Sequence, residues 1–309
     1  MKKLGFFFLS LLFFFLGCTD THSSCYTTKI EITPLKSPLM KLTIGGRVEE
    51  KRYLLKPAIL NYPNGENLLC RVLPYPKKAL FILVDETLAY DENFKKKLIS
   101  KVLPWLKPGR YIEIITFSSD TKGNYTDTVL KLIVDPEIPE FALISKYKKD
   151  YQKLHSRLLA VQKETVRTYL EESLNKGNPQ IPKSDIIETL YRVSSHIKNF
   201  KSDDKIVLVV SDMLQNSDVT SFYYRGHIRS IDPKDEIEKV RKEGLFGDFG
   251  GAKIYVMGLG YFWTGERGKK EKYLGRKLLR LEKFWNDYFK NSNGRVVEIG
   301  VPMLLKDIH

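Results

Sequence analysis

The chain has 309 residues, of which 42% are hydrophobic, and its formal net charge is +14. This apolar content is enough for a packed core, which excludes a wholly disordered chain, and the length allows one large domain or two small ones. The positive charge can indicate nucleic acid, an acidic protein or a membrane surface as a partner, but the basic residues are spread along the chain and solvated helix faces explain most of them.

The first 17 residues have the pattern of a secretory signal peptide. Lys2 and Lys3 precede an apolar run over 4–16, which is shorter than the roughly 20 residues of a membrane-spanning helix. The run ends in Phe15-Leu16-Gly17-Cys18, which resembles the lipobox of bacterial lipoproteins except that Phe15 replaces the usual Leu. The resemblance implies cleavage before Cys18 and lipidation of its thiol, and Thr19 at the next position implies outer-membrane sorting. An ordinary secretory signal or an uncleaved anchor is the alternative.

A location in the cell envelope bears on both the charge and the cysteines. Lipid head-group phosphates are then a better match for the positive charge than nucleic acid. The two remaining cysteines, Cys25 and Cys70, either form a disulfide, which an oxidising periplasm allows, or stay separate thiols.

The segments that follow the signal differ in composition. Residues 18–29 are polar and predict a tether, and 30–76 contain short alternating pieces such as Lys41-Leu-Thr-Ile44, which predict a small N-terminal β extension. The remaining residues, 77–309, predict a single domain with a helical insertion over 141–176.

Strands and helices alternate in that domain. Strands are predicted over 79–84, 111–117, 127–133, 205–210, 253–257 and 295–299, and helices over 92–106, 141–176, 186–200, 233–243 and 270–291. Several strands are apolar throughout, which is typical of strands covered on both faces. The sequence therefore predicts an α/β fold with a mostly parallel, doubly wound sheet and helices on both faces.

Polar side chains cluster where sites form in such sheets, at the carboxyl ends of the strands. The first strand of the domain ends in Asp85-Glu86-Thr87-Leu88-Ala89, and the later strand ends in Ser211-Asp212-Met213. A third cluster, Ser184-Asp185, begins the helix that precedes this later strand.

This order of clusters resembles the von Willebrand factor A fold and its metal-ion-dependent adhesion site. That family places Asp-x-Ser-x-Ser after its first strand, a Thr before a central helix, and an Asp after a later strand. The resemblance implies a Mg²⁺ (or Mn²⁺) site with Asp85, Thr87, Ser184 and Asp212 as ligands, and one coordination position left for a partner's carboxylate. Two residues depart from the pattern, because Ala89 lacks the second hydroxyl and Met213 replaces the usual Gly.

Structural roles are the alternative for the same residues. Asp85 or Asp91 can cap the helix over 92–106. Either Ser184 or Asp185 can cap the helix over 186–200, and Asp185 and Glu188 have capping-box spacing. Asp212 can anchor its own loop.

Familiar enzyme motifs do not fit the sequence. A haloacid dehalogenase-type phosphatase needs an acid where Thr87 stands, and the sequence has no P-loop, zinc-binding histidine spacing or Gly-x-Ser-x-Gly elbow. The sequence therefore favours a binding protein, without a catalytic residue.

The aromatic run Phe222-Tyr223-Tyr224 predicts a partner-binding surface beside the site, or alternatively packing beneath its loop. The resulting hypothesis is a membrane-anchored protein-binding module of the envelope, for adhesion or assembly, facing the periplasm. The alternatives are a metal-dependent hydrolase of an envelope substrate and a structural lipoprotein whose site has decayed.

Overall fold

The computed structural model describes residues 42–44, 47–49, 76–118, 126–134, 148–178, 184–224, 227–261 and 274–309. The predicted signal peptide, the lipidation site Cys18, the tether and the pair Cys25 and Cys70 lie outside these residues, so their predictions stay predictions.

Six strands form the central sheet, and two short pairs lie outside it. In chain order the strands are β1 (Leu42–Ile44), β2 (Arg47–Glu49), β3 (Lys78–Asp85), β4 (Tyr111–Phe117), β5 (Thr126–Ile133), β6 (Asp204–Val210), β7 (Tyr223–Tyr224), β8 (His227–Ile228), β9 (Lys253–Met257) and β10 (Arg295–Gly300). The sheet has the order β10-β9-β6-β3-β4-β5, while β1 pairs with β2 and β7 pairs with β8.

The described residues also form five α-helices. They are α1 (Glu92–Val102), α2 (Lys148–Asn175), α3 (Ile186–Asn199), α4 (Pro233–Lys242) and α5 (Leu274–Asn291), with a 3₁₀ turn over Leu103–Trp105. Within the described ranges, none of these helices combines the length and apolarity that crossing a bilayer requires.

The sheet is parallel except at one edge, where β5 runs antiparallel to β4. Only residues 118–125 separate these two strands, and a parallel crossover needs a dozen residues or more. The predicted mostly parallel sheet is confirmed.

Side chains of the central strand alternate between two buried layers. Phe81 and Leu83 of β3 point into the layer that holds the buried faces of α3, α4 and α5. Leu80 and Ile82 point into the layer that holds α1 and the second half of α2. Because both faces of β3 are fully buried, a continuous apolar run was required there.

Helix α2 covers the sheet with only part of its length. Val166, Leu170 and Leu174 are buried against the sheet. The amide of Gln162 donates to the backbone oxygen of Ile133 at 3.3 Å, where β5 ends. Val161 is buried and Leu159 packs against the core, so the residues that precede Leu159 in the helix extend past this end of the strands. The first predicted residues of this helix, 141–147, lie outside the described ranges.

The C-terminal segment, residues 301–309, closes the layer that holds α1 and α2. Leu304 and Ile308 are buried in that layer, whereas Leu305 is 89% exposed. The Lys101 ammonium on α1 pairs with Asp307 at 2.8 Å, which holds the segment across the sheet.

The order of the strands indicates where a ligand-binding crevice forms. Chain order reverses between β3 and β6, which lie side by side at the centre of the sheet. In open α/β sheets the carboxyl ends of the two strands at this reversal flank a crevice in which ligands bind.

Candidate metal site

Asp85, the last residue of β3, is fully buried and collects four hydrogen bonds at this crevice. Its Oδ1 accepts from the backbone N–H and the hydroxyl of Thr87, at 2.9 and 2.6 Å. Its Oδ2 accepts from the hydroxyls of Ser211 and Ser184, at 2.7 and 3.4 Å. Three separated segments of the chain therefore meet at one carboxylate.

Asp212 brings a second buried carboxylate to the same place. It follows β6 directly, and its Oδ1 accepts from the backbone N–H of Leu214 at 2.9 Å. This bond confirms the predicted loop-anchoring role of Asp212 for one of its two oxygens. The anchoring role does not exclude the ligand role, because the second oxygen has no hydrogen bond from the described part of the chain.

The structure shows which residue caps the start of α3. Asp185 is the N-cap, because its side chain accepts from the N–H of Glu188 at 3.3 Å. Ser184 is therefore free of that role and points its hydroxyl at Asp85. The first strand shows the same division, since Asp91 caps α1 through the N–H of Phe94 at 2.7 Å and Asp85 does not.

Gln215 supports this arrangement and was not predicted. Its side-chain oxygen accepts from the N–H groups of Ile186 and Ile187, at 2.8 and 3.0 Å, and its NH₂ donates to Asp185 at 3.0 Å. The loop after β6 is thus fixed to the start of α3, next to Ser184. A single polar residue inside a loop gives no sequence pattern that would have revealed this role.

The two carboxylates are held in an unfavourable environment when they are charged. Burial raises the pKa of Asp85, and burial together with the neighbouring charge of Asp85 raises the pKa of Asp212 well above its usual range. In the ranges the structure describes, no lysine or arginine forms an ion pair with either residue. A bound cation would relieve both the repulsion and the desolvation.

The donor atoms fit a hard divalent cation. Two carboxylates and the hydroxyls of Thr87 and Ser184 present oxygen only, which is what Mg²⁺ prefers. No group of three or more His, Cys, Asp or Glu side chains with metal-binding geometry occurs in the described residues, so hydroxyls and water would complete the shell. Ala89 is exposed and brings no oxygen.

The backbone after Asp212 has a conformation that favours glycine. Met213 has a φ of 61° although its side chain is buried in the core, and left-handed geometry costs a non-glycine residue roughly 1–2 kcal/mol. The family pattern expects Gly at this position. The indole N–H of Trp285 on α5 donates to the Met213 carbonyl at 2.9 Å, which holds the turn in place.

Tyr90 joins the ends of the two central strands. Its hydroxyl lies 2.9 Å from the carbonyl oxygen of Asp85 and 3.0 Å from that of Val210. The ring of Tyr261, which follows β9, stacks on Tyr90 with a centroid separation of 6.1 Å. These contacts fix the spacing between the strands that carry Asp85 and Asp212.

The three predicted partner-binding aromatics have three different environments. Phe222 is fully buried, with its ring 5.0 Å from that of Phe284, so its prediction as a surface anchor is wrong. Tyr223 is half-buried, and burial followed by the charges of Asp212 and Asp85 raises its pKa. Tyr224 is 60% exposed. Tyr223 and Tyr224 are the two consecutive residues of β7, so their side chains point to opposite faces of the strand pair.

A buried ion-pair cluster fixes the β7–β8 pair that carries these tyrosines. Glu236 on α4 accepts from the hydroxyl of Thr220 and from the guanidinium of Arg229, both at 2.6 Å. These residues lie on either side of β7 and β8, so the pair is anchored beside the carboxylates.

Comparisons with known proteins give little further information. No family model matches the sequence, and no curated protein matches it. One similar solved structure is an aerotolerance-related membrane protein from Bacteroides fragilis, in a form with multiple mutations to serines, with 14% sequence identity. The match covers 72% of this chain and 92% of that chain with a TM-score of 0.35, which is too low to carry an argument. The strand order and the helices on both faces identify the fold as a doubly wound α/β sheet.

Proposed function

We propose that the protein is a membrane-anchored binding module of the cell envelope, of the von Willebrand factor A type. It would recognise a protein partner through Mg²⁺ or Mn²⁺ held by Asp85, Thr87, Ser184 and Asp212. The observation that carries the proposal is the meeting of two buried carboxylates and three hydroxyls at the reversal point of the sheet. The envelope location and the lipid anchor rest on the N-terminal sequence.

Each residue has a separate role in this proposal. Asp85 and Asp212 supply the negative charge, and the hydroxyls of Thr87 and Ser184 supply neutral oxygen ligands. Ser211 is a positioning residue, because it donates to Asp85 and accepts from the N–H of Met213 at 2.9 Å. A bound cation would supply a Lewis-acid position for an oxygen of the partner.

Thermal unfolding in the presence and absence of cation tests the site. Addition of MgCl₂ or MnCl₂ to metal-free protein should raise the unfolding midpoint of the wild type by mass action. Asp212→Asn should abolish the rise, and Asp91→Asn, a matched change at an exposed cap, should retain it. Ala89→Ser should lower the Mg²⁺ concentration needed by roughly tenfold, because it adds a hydroxyl where the family pattern has one. An equal midpoint shift in wild type and Asp212→Asn would exclude the metal site.

Cross-linking in cells tests the binding function. A partner captured by the wild-type protein should be lost in Asp212→Asn and when divalent cations are chelated. Tyr224→Ala should weaken the capture without changing the Mg²⁺-dependent midpoint, because the exposed ring lies beside the site and not in it. Capture that is unchanged in Asp212→Asn would contradict a cation-dependent partner.

A further inference from the structure

Every parallel strand of the sheet has a basic side chain at its first residue or directly next to it. Lys78, Lys253 and Arg295 are the first residues of β3, β9 and β10, Lys205 is the second of β6, and Arg110 directly precedes β4. Since these strands are parallel and paired in order, the five side chains lie along the edge of the sheet that the amino-terminal ends of these strands form. It is the edge opposite the candidate metal site.

Acidic residues neutralise this edge only in part. Asp204 pairs with Lys78 and Lys253, at 3.5 and 2.8 Å. Exposed Lys77 and Lys107 and the exposed Arg295 add positive charge, and none of the three has an ion pair with a described residue. The edge therefore keeps an excess of positive charge.

The first turns of α2, which precede its contact with the sheet, extend this basic edge. Ile133 pairs with Tyr111, the first residue of β4, so the contact between Gln162 and Ile133 lies at the same edge. Val161 is buried and Leu159 packs against the core, so residues 148–158 project beyond the edge, by about 16 Å at 1.5 Å per residue. Lys149, Lys153 and Arg157 are exposed in this part, and their spacing of four places them on one stripe of the helix.

The opposite edge carries charges of both signs. Asp91, Glu92 and Asp218 are exposed there, and so are Lys176 and Lys234. It therefore lacks the excess of positive charge found at the basic edge.

We propose that the basic edge of the sheet and the stripe on α2 together form a basic surface that docks on anionic phospholipid head groups. Many separate cations over two adjoining elements match a membrane, which presents phosphates as an extended array. Lys77 precedes β3 and Lys78 is its first residue, so the segment that follows Cys18 joins the sheet at this edge. Docking would direct the strand-end site away from the bilayer.

Lysine footprinting on vesicles tests the proposal with the full chain. The protein is mixed with vesicles of phosphatidylcholine alone, or of phosphatidylcholine with phosphatidylglycerol, and acetylated lysines are quantified by mass spectrometry. Acetylation of Lys77, Lys149 and Lys153 should fall several-fold on the anionic vesicles, and 0.5 M salt should restore it. Lys176 and Lys234 are exposed near the opposite edge and serve as internal controls. Equal labelling on both vesicle types, or equal protection of the controls, would overturn the proposal.

Charge-reversed variants separate the stripe from net charge. Lys149→Glu, Lys153→Glu and Arg157→Glu in one chain should abolish protection of Lys77. The same reversal at the exposed Lys96, Lys97 and Lys242 should leave that protection intact. Loss of protection in both triple variants would overturn the proposal, as would protection by a short DNA duplex that equals protection by anionic vesicles.

Docking does not depend on cation binding. Protection should therefore persist in Asp212→Asn, so that failure of the metal site and failure of the basic surface give different results.

Discussion

Asp85 and Asp212 end neighbouring strands, and burial raises the pKa of both carboxyls. An acid whose pKa is raised by folding stabilises the folded state below its unfolded pKa, and this contribution is lost as the pH rises through the folded value. The acids with lowered pKa values, such as Asp248 at about 2, titrate well below pH 5. Their contribution to the free energy of unfolding is therefore complete by about pH 5.

The two buried carboxyls should make the stability of the protein depend on pH. In chelator, the free energy of unfolding of the wild type should fall between pH 5 and pH 8. Asp212→Asn should flatten this decline, because only one of the two buried carboxyls can still ionise. Urea denaturation at several pH values measures the effect, and Mg²⁺ should flatten the wild-type curve at pH 8. A wild-type curve as flat as that of the variant would contradict the prediction.

The sequence predicted individual site residues unevenly. Asp85, Thr87 and Ser184 were expected together, and the structure brings their oxygen atoms into hydrogen-bonding distance. Ser211 was not expected as a partner of Asp85, because a serine at a strand end is common and its side-chain direction depends on the register of the sheet. Phe222 was misassigned because the residue types of an aromatic run do not show which ring points inward.

At the scale of elements, the residues that directly follow α2 are packed tightly against the loop after β3. A Cβ on Gly177 would lie 1.7 Å from the carbonyl oxygen of Leu88, and the N–H of Asn178 donates to the Glu86 carbonyl at 2.8 Å. The end of α2 therefore holds the loop that carries Thr87.

Gly177→Ala should accordingly destabilise the protein by about 1–3 kcal/mol, since a backbone must shift to admit the methyl group. It should also weaken the Mg²⁺-dependent midpoint shift by moving Thr87. Gly275→Ala on α5 is the matched control, because no atom lies within 4 Å of the added Cβ and alanine favours the helix by up to about 1 kcal/mol. Urea denaturation of both variants gives the comparison, and an unchanged free energy for Gly177→Ala would contradict the packing.

The existence of most elements followed from apolar periodicity, but their directions did not. The buried strands β3 and β6 were predicted within one or two residues, because a covered strand must be apolar throughout. The antiparallel direction of β5 was not predicted, since the alternation of side chains is the same for both directions. The short connection before β5 was the available signal.

At the scale of the whole molecule, the sheet is closed by chain segments of different kinds on its two faces. Three helices cover one face, whereas α1, α2 and the extended residues 301–309 cover the other. This nine-residue segment takes the place of a third helix on that face, and its Leu304 and Ile308 side chains belong to the core.

Leu304→Ala should therefore destabilise the protein by about 2–5 kcal/mol, as expected for a buried leucine. Its neighbour provides the control, because Leu305 is 89% exposed and Leu305→Ala should change the free energy of unfolding by less than about 0.5 kcal/mol. Chemical denaturation of the two variants measures the difference. Similar values for both would show that the segment does not contribute to the core.

The hydrogen bond from Trp285 to the carbonyl of Met213 has an optical consequence. The indole is buried on the last helix, yet it contacts the residue next to Asp212. Emission from this ring should respond to events at the strand ends without any attached dye. Trp105 and Trp263 are the other two tryptophans of the chain. With both replaced by phenylalanine, tryptophan emission would come from Trp285 alone and would change with the environment of Asp212.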